Sequence, residues 1–591
     1  MAILSTTHIH INGNKLPYYN SCSLHQEIGE HHTLDLYCLL ETIEKFCSDN
    51  NQEMEELLGT IITIETKSYA GIRFHGTLKF KGIITGLSYQ KGLYSNAGDL
   101  ILIKAQSPTI IADDGPHHTS FNDKSFIDIM EDTFSNYDTS RLKINTKNSD
   151  LSEPLTYTVQ YNESCFRFAQ RMAARNGEWM YYDGEELMFG IDTESEELEL
   201  ILGRDLQDLN TSLVPIPQNF NYYTNDYLTD DVHEKESSSA TKSSNGYFGV
   251  VNDSSKDIYA NPTKIWVNIS DDTNAKNRLD KYVELQQNAL QANQVKINGT
   301  SDNPGVMLAT TVKVSQNNYI ITKVTHSYAS NGEYENFFEA TSSNIKTYPK
   351  TEINAFPIAQ SQVAKVIENH DPEGMGRVKV QFVWQKKDGL TTPWIRNISP
   401  SASQGQGFFF IPEVNDEVLV DFEGSNAEVP FVMGGVYNSN AIPPEGSANS
   451  SNHIKMLMSK SGSFFKLNDE DGSITIQDKA GSSIVLDGSG NISITAASSE
   501  VSITGPAEVS ITSDDEVSLN AGKEVSLIGG DEVSLNGGKE VSIVSGDEVS
   551  INGGKEVNVS GGMEVKITGT AKATLSSSGT TSVEGTIIKL N

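Results

Sequence analysis

The stretch Glu524-Val525-Ser526-Leu527-Ile528-Gly529-Gly530-Asp531, followed at once by Glu532-Val533-Ser534-Leu535-Asn536-Gly537-Gly538-Lys539, decides the fold of the C-terminal part of the chain. Glu-Val returns every eight residues from Glu500-Val501 to Glu564-Val565, and a branched apolar residue sits two places after each Val. Polarity within a unit therefore reads out-in-out-in, the period of a strand. A turn usually marked by glycine follows, as at Gly530, Gly538 and Gly554. Self-similarity at a fixed short period predicts stacked strands, a β-solenoid. The expected inward residues are Val517, Leu519, Val525, Leu527, Val533, Leu535, Val541, Ile543, Val549 and Ile551.

A strand that buries only two side chains cannot hold itself together, and eight residues are too few for one chain to complete a coil. Three intertwined copies solve both problems, because each then covers one face per level. The expectation is a trimeric, triangular β-helix with octapeptide repeats. Each level would bury three Val and three Ile or Leu, on the order of 9–18 kcal/mol gross before the entropy of ordering is subtracted. The residue ahead of six successive Glu-Val pairs alternates in sign: Asp515, Lys523, Asp531, Lys539, Asp547, Lys555. If successive units stack, each Lys lies between Asp neighbours, a favourable cross-strand arrangement that also offsets the unbroken Glu column.

The full chain has 591 residues, room for several domains. Its net charge of -34 argues against a nucleic-acid partner. Cys22, Cys38, Cys47 and Cys165 lack paired metal-ligand spacing and read as reduced, buried thiols. The N-terminus has no basic region followed by an apolar run, so no export signal of that kind is expected. No apolar stretch is long enough for a membrane helix.

Residues 1–350 alternate strand patterns with a few helices, an α+β block. Strands are expected at 61–65 and 76–83, and a helix over 125–133 opens on Ser125. Cys165, Phe168, Ala169, Met172 and Ala173 fall at helical spacing, ended by Asn176-Gly177. Another helix is expected over 273–294, behind a Ser-, Lys- and Glu-rich loop at 233–246. Residues 356–438 are all-β, with Val378, Val380, Phe382 and Trp384 alternating with polar neighbours, which suggests a small barrel. Residues 439–453 read as a linker, and strands resume over 454–591.

The barrel region carries Gly376-Arg377-Val378-Lys379-Val380-Gln381-Phe382-Val383-Trp384, Trp394-Ile395-Arg396 and Gly407-Phe408-Phe409-Phe410-Ile411-Pro412. Asn415-Asp416-Glu417-Val418-Leu419-Val420-Asp421-Phe422 and Gly434-Gly435-Val436-Tyr437-Asn438 follow in order. This set resembles the OB-fold signature of VgrG proteins, the spikes of type VI secretion systems, and of related phage-tail-like injection particles. Tyr161-Asn162-Glu163-Ser164 and Ser107-Pro108-Thr109 with Phe121-Asn122-Asp123-Lys124 resemble the family's hub. The resemblance implies a multidomain, mainly β chain: an α+β hub with β-barrel elements over 1–350, an OB-fold barrel over 356–438, and a needle over 454–591. It also implies a homotrimer and baseplate proteins around it. A hexameric, Hcp-like tube protein would meet the hub, a PAAR-type protein would sit at the tip, and effectors could be carried. The chain's last strand supplies Ile587, Ile588 and Leu590 as the expected platform for the tip protein.

No catalytic residue, cofactor or metal is assigned. No nucleophile elbow, zinc-protease helix or phosphate loop occurs, and the gap at 439–453 is too short for an inserted enzyme. Asp113-Asp114-Gly115-Pro116-His117-His118 reads as a turn rather than a metal site, and Asn468-Asp469-Glu470-Asp471-Gly472 as a hairpin turn rather than a calcium loop. Trp384 and Trp394 read as barrel packing rather than a base-stacking platform. A structural spike is the leading function. A peptidoglycan-cleaving spike and a surface adhesin on a solenoid stalk are the alternatives. One chain does not separate a type VI apparatus from a free extracellular particle.

Overall fold

A computed structural model describes residues 5–68, 76–90, 98–192, 197–237, 246–269 and 274–590. Much of the expected loop at 233–246, and Thr273 at the expected helix start, lie outside the described residues. The chain divides into two compact units, Met1–Asn452 and His453–Asn591. Among the described residues no helix is long and apolar enough to cross a membrane.

The first unit is organised by a 13-stranded sheet assembled from two distant parts of the chain. One part is an antiparallel set from the N-terminal region, Ser5–Ile11, Ser21–Glu27, Thr33–Leu39, Ile61–Ser68, Leu78–Gln90 and Leu100–Gln106. The other is Leu206–Leu213, Val295–Ser301, Asn317–Ala329 and Tyr334–Ser342. They meet where Ser21–Glu27 pairs antiparallel with Asn317–Ala329, His326 opposite Leu24. Alternation explains the pleat: in Thr33–Leu39 the residues Leu34, Leu36 and Cys38 are buried between partly exposed neighbours. All four cysteines are free and buried, as expected, and burial pushes the Cys38 thiol up to about 12.

Five helices are described: α1 (Leu40–Asp49), α2 (Phe126–Phe134), α3 (Cys165–Asn176), α4 (Tyr247–Ile258) and α5 (Ala275–Ala292). The cap signals hold. Ser125 Oγ accepts from Asp128 N–H at 3.1 Å, Ser164 Oγ accepts from Arg167 N–H at 3.1 Å, and Gly177 ends α3 at φ +67°. Helices α1 and α4 are the elements sequence patterning misses: α1 follows a strand with no side-chain cap, and α4 opens on Gly246.

At the seam between the two strand sets lies a buried polar chain. Asn336 Nδ2 donates to the Tyr334 hydroxyl at 3.0 Å, which donates to His326 Nδ1 at 2.7 Å. His326 Nε2 donates to Gln26 Oε1 at 3.0 Å, and Gln26 Nε2 donates to His32 Nδ1 at 3.0 Å. The chain runs in one direction only if both imidazoles are neutral. Burial pushes His326 down to about 3; burial, with His25, His31 and His326 nearby, does the same to His32.

The barrel is a four-stranded sheet ordered Lys379–Phe382, Gln362–Glu368, Glu417–Phe422, Pro430–Gly435, closed by bridges such as Val378 to Ile395. Val378, Val380, Phe382, Val418, Val420 and Phe422 fill its core, and Trp384 stacks on Phe382 with centroids 5.4 Å apart. Trp394 lies under the Lys379 ammonium at 5.0 Å. Both tryptophans are thus used in packing, as expected.

The second unit begins as an antiparallel meander: Ile454–Met458, Phe464–Asn468, Ser473–Gln477, Ser483–Leu486 and Ile492–Thr495, paired in chain order. The Asp471-Gly472 turn joins two of these strands, with Gly472 at φ +73°. Gly488 lies so close to it that an added Cβ would stand 2.0 Å from Asp471 O. Beyond Thr495 the pattern changes. The octads are extended segments with a bend every eight residues, at Asp514, Gly522, Gly530, Gly538, Gly546, Gly554 and Gly562. Among the described residues no backbone–backbone hydrogen bond involves 496–590. Within one chain, then, no backbone ladder joins successive octads among the described residues.

Burial of the two neutral histidines makes the hub acid-sensitive. Their folded pKa values are depressed, so below about pH 6.5 an unfolded chain takes up protons that the folded hub refuses until about pH 3. Stability should fall by roughly 2 kcal/mol per histidine on going from pH 7 to pH 5. Urea unfolding followed through the buried Trp179 measures this, and His326→Gln should flatten the profile. A flat profile in the parent would refute the neutral pair.

Candidate functional site

Two places in the chain offer more than packing: the joint between hub and barrel, and the octads. The joint is built on α3 and on the hairpin formed by His117–Ser125 and Pro154–Glu163. Tyr157 and Val159 of that hairpin are buried in the barrel's own core cluster. Helical spacing puts Arg171 and Arg175 on one face of α3. Arg175 Nη1 donates to Glu428 Oε2 of the barrel, and its guanidinium lies 4.2 Å from the centre of the Phe356 ring. Burial opposes the charge on Arg175, but the Glu428 carboxylate more than offsets it and the guanidinium stays protonated. Arg171 forks onto Glu163 at 2.7 and 3.1 Å, donates to Val159 O at 2.7 Å, and stands 3.7 Å from Glu428.

Neutral hydrogen bonds surround this cluster. Gln385 Nε2 donates to Ser120 Oγ at 2.8 Å and to the Tyr157 hydroxyl at 3.3 Å. Trp384 Nε1 donates to Gln362 Oε1 at 3.1 Å, while Gln362 Nε2 donates to the Tyr161 hydroxyl at 3.1 Å. Asn268 Nδ2 donates to Glu423 O at 2.6 Å, and Asn122 Nδ2 to Thr391 O at 3.0 Å. A cavity of about 40 Å³ lies among Arg175, Asn268, Tyr282, Asn426 and Glu428. Hub and barrel are thereby fixed in one relative orientation by buried directional contacts. Chemically the cluster is a clamp: the Glu163 and Glu428 carboxylates are held by Arg171 and Arg175, and Glu428 also accepts from the Val159 N–H at 3.3 Å.

Within the barrel, Asp371 organises the loop that precedes the recognised text. Its carboxylate accepts from the backbone N–H groups of Glu373, Met375 and Arg377 at 3.1, 3.0 and 3.2 Å, and from the Arg377 side chain at 2.8 and 3.0 Å. Against the burial that would raise it, these bonds hold Asp371 down at about 2. Within that loop Gly376, at φ +72°, is approached so closely by Ile411 that a Cβ there would meet Ile411 Cδ1 at 2.9 Å. Phe408, Phe409 and Phe410 stand exposed on the barrel.

Asp113 is engaged by Ser164 and His31, and Asp114 by His117 and Tyr137, so these carboxylates serve neighbouring protein groups. No group of three or more metal-type ligands gathers among the described residues. Within the single chain the expected needle-core residues are not brought together. Val517, Val525, Val533, Val541 and Val549 are 49–52% exposed, and Leu519, Leu527, Leu535, Ile543 and Ile551 58–68%. Ile587, Ile588 and Leu590 are likewise exposed. Arg175, Glu428 and Asp371 were missed by sequence reasoning. An Asp six residues before an Arg across two glycines could have flagged the last, but Arg175 and Glu428 are too far apart in sequence to be linked by any local pattern.

Comparison with known proteins adds the following. Residues 25–332 match the profile described as the phage tail baseplate hub (GPD), and residues 362–437 that of the type VI secretion system/phage-baseplate injector OB domain. The type VI secretion system spike protein VgrG4b of Pseudomonas aeruginosa is 34% identical over 137 residues, 22% of this chain and 17% of that protein. VgrG2a of the same organism is 38% identical over 72 residues, 12% of this chain and 9% of that protein. The matches thus span less than a fifth of these relatives' length. A chain of the half-lidded Francisella PdpA–VgrG complex superposes with a TM-score of 0.51 at 12% identity, covering 84% of this chain and 89% of that one. That likeness concerns the fold.

Removing one partner of the joint's ion pair leaves the other buried and unpaired. Arg175→Met should destabilise the first unit by about 3–5 kcal/mol in denaturant titration. The double variant Arg175→Met/Glu428→Met should recover more than half of that loss. Equal losses in the single and double variants would show that the pair is not coupled.

Proposed function

Because the chain belongs to the phage tail baseplate hub family, we propose that it is the spike of a contractile injection system, a homotrimer whose C-terminal octads form a puncturing β-helix. The observation that carries this reading is the octad backbone, which repeats without pairing to itself. A backbone that makes no backbone–backbone hydrogen bonds and carries a periodic row of exposed Val, Leu and Ile needs a partner of the same period. Another copy of the chain has that period.

On this reading the hub sits on a hexameric, Hcp-like tube ring and the barrel is the collar. The buried clamp between Arg175, Arg171 and Glu428 then transmits thrust from hub to collar without a hinge. A PAAR-type tip protein would dock on Ile587, Ile588 and Leu590, and effectors would ride on the tip or the needle. The proposal assigns no catalysis to the chain; its work is mechanical, and it leaves the cell only with the apparatus.

The trimer is tested by sedimentation of the purified full chain at micromolar concentration. Leu535→Asp would place three carboxylates at one level of a dry core, a defect of at least several kcal/mol. The parent should sediment as a trimer, and Leu535→Asp should do so less completely or with a frayed, protease-sensitive C-terminal unit. A well-folded parent monomer would overturn the reading.

A further inference from the structure

The octads carry a longer rhythm than eight residues. Those that begin at Asp515, Asp531 and Asp547 place Asn520, Asn536 and Asn552 five residues on, whereas those that begin at Lys523 and Lys539 place Ile528 and Val544 there. Each of these Asn residues donates from Nδ2 to the Ser two positions before it, at 3.0, 3.0 and 2.9 Å, so Asn and Ser share a face with the charge pattern repeating beside them. From Asp515 to Asn552 the outer surface therefore repeats every sixteen residues, and the charge alternation runs on to Lys555. The apolar positions, by contrast, are alike in the octads from Glu516 to Ile551: Val, then Leu or Ile.

This difference matters for alignment. A core that repeats Val and then a branched apolar residue in each octad is nearly indifferent to a slip of one copy by one octad, because like side chains meet again. Charge alternation is not indifferent: the same slip sets Lys against Lys and Asp against Asp along the whole column. Since no backbone ladder joins octads of the same chain among the described residues, the neighbours that such alternation requires belong to other copies.

We propose that the alternating Asp/Lys column is a register key between copies, in which Asp531 of one copy lies against Lys523 of a second and Lys539 of the third. This rests on the trimeric reading above. Strands in a ladder lie about 4.8 Å apart, within reach of these side chains, and directly opposed opposite charges stabilise while like charges destabilise. The key therefore acts by rejecting the misaligned assembly that the core would accept.

The test uses the full chain with Asp531→Cys and Lys539→Cys together, oxidised or treated with a short bismaleimide and run on a non-reducing denaturing gel. The four native cysteines are buried and do not compete. The key predicts a covalent trimer as the main product, and little linkage for Asp515→Cys with Asp531→Cys, which lie two octads apart. An internally linked monomer band, or no linkage, from protein that sediments as a trimer would overturn the key and leave the trimer standing. Protein that sediments as a monomer would overturn the trimeric reading itself. A second arm exchanges the charges with Asp531→Lys and Lys539→Asp, which preserves net charge but breaks the alternation. Its melting temperature should fall by several degrees at low salt and recover in part at high salt. An unchanged melting temperature at low salt would count against the key.

Discussion

A backbone N–H or C=O taken out of water must find a partner, and from residue 496 onward the described chain offers itself no backbone partner. The bends every eight residues make this a property of the sequence rather than of one accidental conformation. Where Gly529 precedes a bend, a Cβ would stand 2.1 Å from Glu532 O; where Ser545 takes the same place, its hydroxyl accepts from the N–H groups of Asp547 and Glu548 at 3.2 and 3.1 Å. Glycine and serine thus reach the same bend by different means, one by omitting a side chain and the other by using one. The result is a segment whose local geometry is well specified and whose hydrogen bonding is deferred.

The first unit solves the opposite problem. Its sheet is closed by pairing Ser21–Glu27 with Asn317–Ala329, contacts separated by about three hundred residues of chain. Closing so long a loop is entropically costly, and the buried His326–Gln26–His32 chain sits at that closure. Polar groups that are bonded in one register lose those bonds in any other, so the network discriminates among strand alignments more than it adds stability. The Arg175–Glu428 clamp does the same for the orientation of the barrel on the hub. In both cases charge and hydrogen bonding select a geometry that apolar burial alone leaves open.

Local devices were legible in the sequence: the caps at Ser125 and Ser164, the stop at Gly177, the alternation of Val378, Val380 and Phe382, and the octads themselves. What was not legible is long-range or shared between chains. Arg175 and Glu428 look like ordinary surface charges until the fold brings α3 against the barrel. His326 and His32 carry no spacing that announces a shared network. The octads show a period in the sequence, but a period states how often a contact recurs and not which chain supplies it. Helices α1 and α4 were missed because α1 has no capping side chain and α4 begins at a glycine.

The change at Thr495 has a temporal meaning as well as a spatial one. The five-stranded meander before it pairs within one chain, so it can form as soon as that segment is synthesised, at a rate independent of concentration. The octads after it have no such route; in the proposed trimer their pairing is second- or third-order until the first levels meet, and unimolecular afterwards. Three pre-formed meanders held together would raise the local concentration of the octads behind them and let pairing run one way along the chain. The boundary near residue 495 is then the starting line of a zipper, and the needle grows away from it.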